Sequence, residues 1–164
     1  MSQEEVHQRS FYQGDGLHAH DQIVILVSRW NAEITQALLK GAKQVLASAG
    51  VPDICITIKE VPGTFELPLG ASWALEHLQP DAVICLGCVI QGETRHFDFI
   101  CDSVAHGIQR IALDYQKPVI FGILTTQNQA QAMERAGGKI GNKGEEAAVA
   151  ALEMLDLRRG LSSR

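Results

Sequence analysis

The 164-residue chain has no apolar run near the ~18–20 residues that a membrane-spanning helix requires. Its first ten residues, MSQEEVHQRS, lack the hydrophobic stretch of a secretory signal and the Arg/Ser-rich character of a transit peptide. Positive charge is not in excess. The formal net charge is −5, which argues against a general binder of nucleic acid or of an anionic membrane. No internal repeat, low-complexity stretch or linker interrupts the chain. Cysteine is scarce: Cys55, Cys85, Cys88 and Cys101 sit mostly among apolar neighbours, as buried thiols do. These absences point to a soluble protein of a reducing, cytoplasmic setting. The 46% hydrophobic and 20% charged composition is that of an ordinary globular domain. A chain of this length can bury roughly 70% of the surface it exposes when unfolded.

Several suggestive motifs fail on their surroundings. Cys85 and Cys88 form a CxxC, but redox pairs of that kind open helices, whereas this one lies in a strand-like run. Side chains three apart on a strand point to opposite faces. No second CxxC completes a zinc site, so the cysteines are read as core residues and no metal is expected. The glycines of residues 138–144 (GKIGNKG) look like a phosphate loop. They follow a helix, however, and no Ser or Thr follows the Gly-Lys pair. No GxGxxG follows the first strand, so a dinucleotide fold has no support. His7, His18 and His20 are scattered through a polar segment and are read as solvated.

What is present is a regular alternation. Residues 1–20 have no steady periodicity and read as an N-terminal arm, with a short strand near residues 10–13. Residues 21–164 read as one domain. Residues 22–28, 54–61, 82–90 and 119–124 are short apolar or β-branched runs that predict four strands. Between them lie helical patterns. Asn31 is placed to cap a helix whose Ile34, Leu38, Ala42, Val45 and Ala49 share a face, stopped by Gly50 and Pro52. Pro68 suits the first turn of a helix through Ala71, Leu75 and Leu78. A third helix aligns Phe97, Ile100, Val104, Ile108 and Ile111 and ends before Lys117-Pro118. Thr126 and Gln129 make a capping-box pair for a helix through Ala136, closed by Gly137-Gly138. A last helix spans residues 142–157. Strands apolar on both faces and alternating with helices imply a four-stranded parallel sheet inside a three-layer α/β/α sandwich.

In such sheets, ligands bind beyond the carboxyl ends of the strands. The segments there are Arg29-Trp30-Asn31, residues 62–66 (PGTFE), residues 91–96 (QGETRH) and Thr125-Thr126. Two aromatics and several ionisable groups on one edge suit a flat, polar ligand. The loop at residues 92–96 joins a strand to a helix, so its free N–H groups can hold an anion. Thr94 adds a hydroxyl, and Arg135 can supply a guanidinium. His96 opens the helix. From spacing alone it is either a proton carrier or a solvated helix-cap histidine.

The segments RWNAEIT (29–35), VPGTFELP (61–68), GCVIQGETRHFDFIC (87–101), FGILTTQNQAQAMERAGGKIGNKG (121–144) and EEAAVAALEM (145–154) resemble the lumazine synthase family. The resemblance covers nearly everything beyond the arm, in order and with spacings intact. It implies a flavodoxin-like fold without metal or redox cofactor. It also implies condensation of 5-amino-6-(D-ribitylamino)uracil with (S)-3,4-dihydroxy-2-butanone 4-phosphate, giving 6,7-dimethyl-8-ribityllumazine, phosphate and water. By resemblance, Trp30 stacks on the pyrimidine, in place of the Phe of most bacterial members. Thr64, replacing a common Ala, lies with Phe65 and Glu66 along the ribityl side, where Glu66 holds hydroxyls. Cys88, Val89 and Ile90 read the uracil edge through the backbone, and Phe121 is a pocket aromatic. The phosphate falls to Glu93 (through its main-chain N–H), Thr94, Arg135 and Lys143, and proton transfer to His96.

In this family the residues at the Phe121, Arg135 and Lys143 positions come from a neighbouring subunit, so the resemblance implies a homo-oligomer of pentamers. The compact turn GGKIGNKG (137–144) is the form found in members that build icosahedral shells. Riboflavin synthase is an expected partner; nucleic acid and membranes are not. The helix after residue 96 also carries Phe99 and Ala105 off its main apolar face, an excess that a subunit contact would explain. An alternative of another class is a non-catalytic flavin- or lumazine-binding protein, against which His96, Thr94 and Arg135 argue. A container role is compatible with catalysis.

Overall fold

The computed structural model describes residues 16–163, so the strand expected near residues 10–13 lies outside the described residues. Strands β1 (Ile23–Ser28), β2 (Ile56–Val61), β3 (Ala82–Ile90) and β4 (Val119–Thr126) form one parallel sheet in the order β2-β1-β3-β4. β1 is buried along its whole length, and this is why its sequence reads as an unbroken apolar run. Its side chains alternate between two cores. Ile23, Ile25 and Val27 face helices α1 (Ala32–Ser48) and α5 (Lys143–Ser162). Val24 and Leu26 face α2 (Leu67–His77) and α3 (His96–Tyr115). The result is the expected three-layer sandwich. Among the described residues, no helix is long and apolar enough to cross a membrane.

The predicted helix faces hold where one face meets the sheet. Ile34, Leu38, Ala42, Val45 and Ala49 of the first helical segment are all buried, and Pro68 lies in the first turn of α2. On α3 only Val104 and Ile108 are fully buried, while Phe99 stays 65% exposed. Leu78, expected inside, caps the end of α2 and is half exposed. Cys85 and Cys88 belong to opposite cores, as strand alternation requires. Burial pushes their thiols up to about 12 and about 11, which leaves them protonated and unreactive near neutral pH.

Five local expectations are corrected. Asn31 precedes α1 in a left-handed conformation (φ 59°) and makes no side-chain cap. The helix after β4, α4 (Gln129–Glu134), is capped by Asn128, whose Oδ1 accepts the Gln131 N–H at 2.9 Å. The Thr126 hydroxyl instead donates to the Asn128 carbonyl, and the helix stops before Ala136. A small antiparallel pair, β5 (Ala136–Gly138) and β6 (Gly141–Asn142), replaces the expected helix end. His18 is buried rather than solvated. Its Nδ1 lies 2.7 Å from Asp21 Oδ2, and Arg159 of α5 reaches the ring, Asp21 and Asp156. That network holds the last turns of α5, which therefore runs to Ser162 rather than Leu157.

The GKIGNKG segment docks a helix instead of wrapping a phosphate. Asn142 Oδ1 accepts the N–H groups of Gly144 and Glu145 at 2.8 and 3.3 Å, while its Nδ2 donates to the Ala37 carbonyl at 3.0 Å. A Cβ at Gly144 would fall 1.9 Å from the Leu38 carbonyl oxygen, so only glycine lets α5 start against α1.

Candidate active site at the carboxyl edge of the sheet

The loops leaving β1 and β2 run together. The Arg29 N–H donates to the Val61 carbonyl at 2.9 Å and the Trp30 N–H to the Pro62 carbonyl at 3.2 Å, which extends the strand ladder past its end. Both loops are then tied to β3 at one atom. The Cys88 carbonyl accepts the Asn31 amide at 3.1 Å and the Thr64 hydroxyl at 3.3 Å. This explains the left-handed Asn31: that backbone sends its amide to β3 instead of to its own helix, and Asn tolerates αL better than most residues. Thr64 is buried by the same bond, so its hydroxyl is turned into the fold.

On this frame sit two open aromatic rings. Trp30 is 67% exposed and Phe65 54%. The indole lies over Gly63, where a Cβ would come within 2.6 Å of the ring, so the close approach requires glycine. The Gly63 N–H donates to Glu66 Oε2 at 2.9 Å, fixing that carboxylate beside the aromatics with its other oxygen available for a hydroxyl. Large apolar rings left open on a rigid edge mark a surface that something else covers.

The third loop completes the edge. The Gln91 N–H donates to the Thr126 carbonyl at 2.8 Å, and residues 91–96 beyond it are all exposed. α3 starts at His96 without a side-chain cap from Arg95; the Asp98 and Phe99 N–H groups donate to the Arg95 carbonyl at 3.1 and 3.4 Å, and the positive end of the helix faces the loop. The Thr94 hydroxyl is 3.4 Å from the His96 N–H. Among the described residues, none forms a hydrogen bond with the His96 imidazole, whose ring is exposed to solvent. Arg95 lies 3.8 Å from Asp98 and over the Phe99 ring.

One chain therefore brings Trp30, Thr64, Phe65, Glu66, Cys88, Val89, Ile90, Glu93, Thr94 and His96 to one edge. It does not bring Phe121 there. Phe121 pairs with Cys85, three residues before the Leu124–Cys88 pair, about 10 Å back along the strand, and packs on the α2/α3 core. Arg135 and Lys143 gather on Glu146, at 3.2 and 3.1 Å. Among the described residues, no hydrogen bond or ion pair links either cation to Trp30 or His96. Asn31, which ties the loop after β1 to β3, and Glu146, which holds both cations, are two contributions the sequence does not show. The first was hidden by its resemblance to a cap, and the second was visible only as a carboxylate three residues after Lys143. Among the described residues, no group of His, Cys, Asp and Glu side chains gathers to hold a metal ion.

The family model described as 6,7-dimethyl-8-ribityllumazine synthase matches residues 20–159. The chain belongs to the lumazine synthase family. It is 60% identical over 131 residues to the 6,7-dimethyl-8-ribityllumazine synthase of Cytophaga hutchinsonii, covering 80% of this chain and 82% of the relative. The protein of that name from Porphyromonas gingivalis is 51% identical over 138 residues, covering 84% and 86%. That from Bacteroides fragilis is 48% identical over 132 residues, covering 80% and 92%. All the motifs of the sheet edge lie inside the span matched to the lumazine synthase family.

Proposed function

We propose that the carboxyl edge of the sheet is the pyrimidine-binding half of a lumazine synthase active site. The reaction is the condensation of 5-amino-6-(D-ribitylamino)uracil with (S)-3,4-dihydroxy-2-butanone 4-phosphate to 6,7-dimethyl-8-ribityllumazine, the penultimate step of riboflavin biosynthesis. The observation that carries the site assignment is the open indole of Trp30 seated on Gly63, with Glu66 and the free turn at residues 91–96 around it.

In this reading the pyrimidine stacks on Trp30, while Phe65 and Glu66 line the ribityl chain. The ends of β3 offer main-chain groups of Cys88, Val89 and Ile90 to the uracil edge. Glu93 through its N–H and Thr94 through N–H and hydroxyl receive the phosphate, together with Arg135 and Lys143. The 5-amino group attacks the ketone and loses water to give an imine. Phosphate then leaves by elimination, and the ribitylamino nitrogen closes onto the remaining carbonyl carbon with loss of a second water. Each step moves a proton, and His96 is the ionisable group at that edge suited to carry it, a role worth typically ~10²–10⁴-fold. Holding two substrates in register supplies much of the remainder.

Phe121, Arg135 and Lys143 reach this edge in a pentamer, each chain completing its neighbour's site. The exposed Phe99 face of α3 and the groove of about 500 Å³ between β2 and α2, lined by Pro62, Leu69, Trp73 and His77, are the surfaces we assign to those contacts. We extend the assembly to a hollow icosahedral shell of pentamers in the cytoplasm, with riboflavin synthase as a partner. The catalytic domain begins at residue 21, and the family match from residue 20 supports that boundary. The test is direct. The purified protein, mixed with both substrates, should develop lumazine absorbance together with one phosphate per turnover. Binding of lumazine without turnover would instead make it a carrier.

A further inference from the structure

Two cations and one carboxylate form a cluster where α4 ends and α5 begins. Arg135 follows α4, Lys143 opens α5, and Glu146 stands three residues later on the same helix. Their side chains are 27%, 29% and 27% exposed, so each is mostly withdrawn from water. Glu146 Oε2 is 3.1 Å from Lys143 Nζ. Arg135 Nη2 lies 3.2 Å from Glu146 Oε1 and 3.4 Å from Oε2. A single carboxylate thus engages both cations and leaves the cluster with one net positive charge. The neighbouring acid Glu134 is turned away, its Oε2 accepting the Lys139 N–H at 3.1 Å.

A phosphate ester carries about −1.5 to −2 charge, and so does the inorganic phosphate released from it. Arg135 and Lys143 alone would hold the product as firmly as the substrate, because both present the same group to the same donors. Glu146 changes that balance in two ways. It aims both cations at a common point before any ligand arrives, and it then competes with the ligand for the same N–H groups. We propose that Glu146 is a positioning residue of the phosphate site that orients Arg135 and Lys143 and, by its charge, keeps phosphate binding weak enough for the product anion to leave. This rests on the assignment of Arg135 and Lys143 to the phosphate.

The substitutions Glu146→Gln and Glu146→Ala separate the two effects in the assembled full-length enzyme. Glu146→Gln keeps an acceptor for Arg135 and removes the charge. Its inhibition constant for inorganic phosphate, and the KM for the butanone phosphate, should both fall about tenfold, as expected for a unit charge at roughly 6 Å in partly solvated surroundings. The KM for the pyrimidine should stay within about twofold, a pattern that general loosening of α5 would not produce. Glu146→Ala also loses the orienting contact and should tighten phosphate distinctly less than Glu146→Gln. Unchanged or weaker inhibition by phosphate in Glu146→Gln overturns the proposal, and equal behaviour of the two variants overturns its orienting part. Arg135→Ala, run beside them, tests the underlying assignment. If that variant keeps wild-type phosphate inhibition, the assignment fails whatever Glu146 does.

Discussion

Asn142→Ala should lower the thermal midpoint by several degrees, because this side chain uses both ends. Its Oδ1 caps α5 through the N–H groups of Gly144 and Glu145, and loss of such a cap costs typically ~1 kcal/mol. Its Nδ2 donates to the Ala37 carbonyl of α1, and a lost internal hydrogen bond costs ~0.5–1.5 kcal/mol more. The residue is buried, so water does not replace these bonds freely. The sum, about 2 kcal/mol, corresponds to roughly 4–8 °C for a domain of this size. Asn142→Asp sharpens the test. Asp caps as well as Asn, but it would set an oxygen against the Ala37 carbonyl where a donor now stands. Melting followed by circular dichroism at fixed protomer concentration should therefore rank wild type above both variants. If Asn142→Asp melts like wild type, or if Asn142→Ala shifts by less than about 1 °C, the double use of this amide is wrong.

Arg135→Ala should raise the KM for the butanone phosphate about 10- to 150-fold, the worth of a charge-assisted bond, with little effect on the pyrimidine. Equal weakening of both substrates would sink the assignment. Trp30→Ala should weaken product binding by roughly 0.5–1.5 kcal/mol beyond the lost contact area, with Trp30→Phe nearly silent; earlier melting with normal binding would make the indole a structural prop. The Cys85 and Cys88 thiols titrate about 12 and about 11 in the fold against 9.0 when free, so the unfolded chain loses their protons first. The thiols' contribution to stability should thus be constant below pH 9 and decline as pH rises toward 11, with a shallower decline in Cys85→Ala; parallel curves would refute this. Light scattering at neutral pH in phosphate should find a shell of pentamers, and free pentamers alone would refute the shell.

Legibility in the sequence followed burial. β1 and β3 are legible because a strand covered on both sides leaves few alternatives to a continuous apolar run. The face of α1 was read correctly because one stripe alone meets the sheet. Errors gathered where two local solutions compete and a tertiary contact selects one. Thr126 and Asn128 are both good caps; the extended Asn128 holds the position, and the Thr126 hydroxyl serves its carbonyl. The glycines after Arg135 can end a helix or turn a small hairpin, and the docking of Asn142 and Gly144 on α1 favours the hairpin. His18 looked like part of a polar tail because its partners, Asp156 and Arg159, lie almost at the other end of the chain.

The site shows the same division. Residues that follow β1, β2 and β3 share one edge because the parallel topology forces their loops there. Phe121 is held near the middle of β4 by its pairing with Cys85, and no rotamer covers the ~10 Å to that edge. Arg135 and Lys143 are anchored at the starts and ends of helices whose bonds to α1 and Glu146 fix them in place. A ligand that needs all of these residues must therefore be met by two chains. The surface apolarity that one chain leaves uncovered, at Phe99 and Trp73, would drive that meeting in the proposed pentamer, since large rings gain most by leaving water. In the pentamer proposed above, assembly and catalysis become one problem: the contacts that hide the exposed rings would also carry Arg135 and Lys143 to the neighbour's open indole.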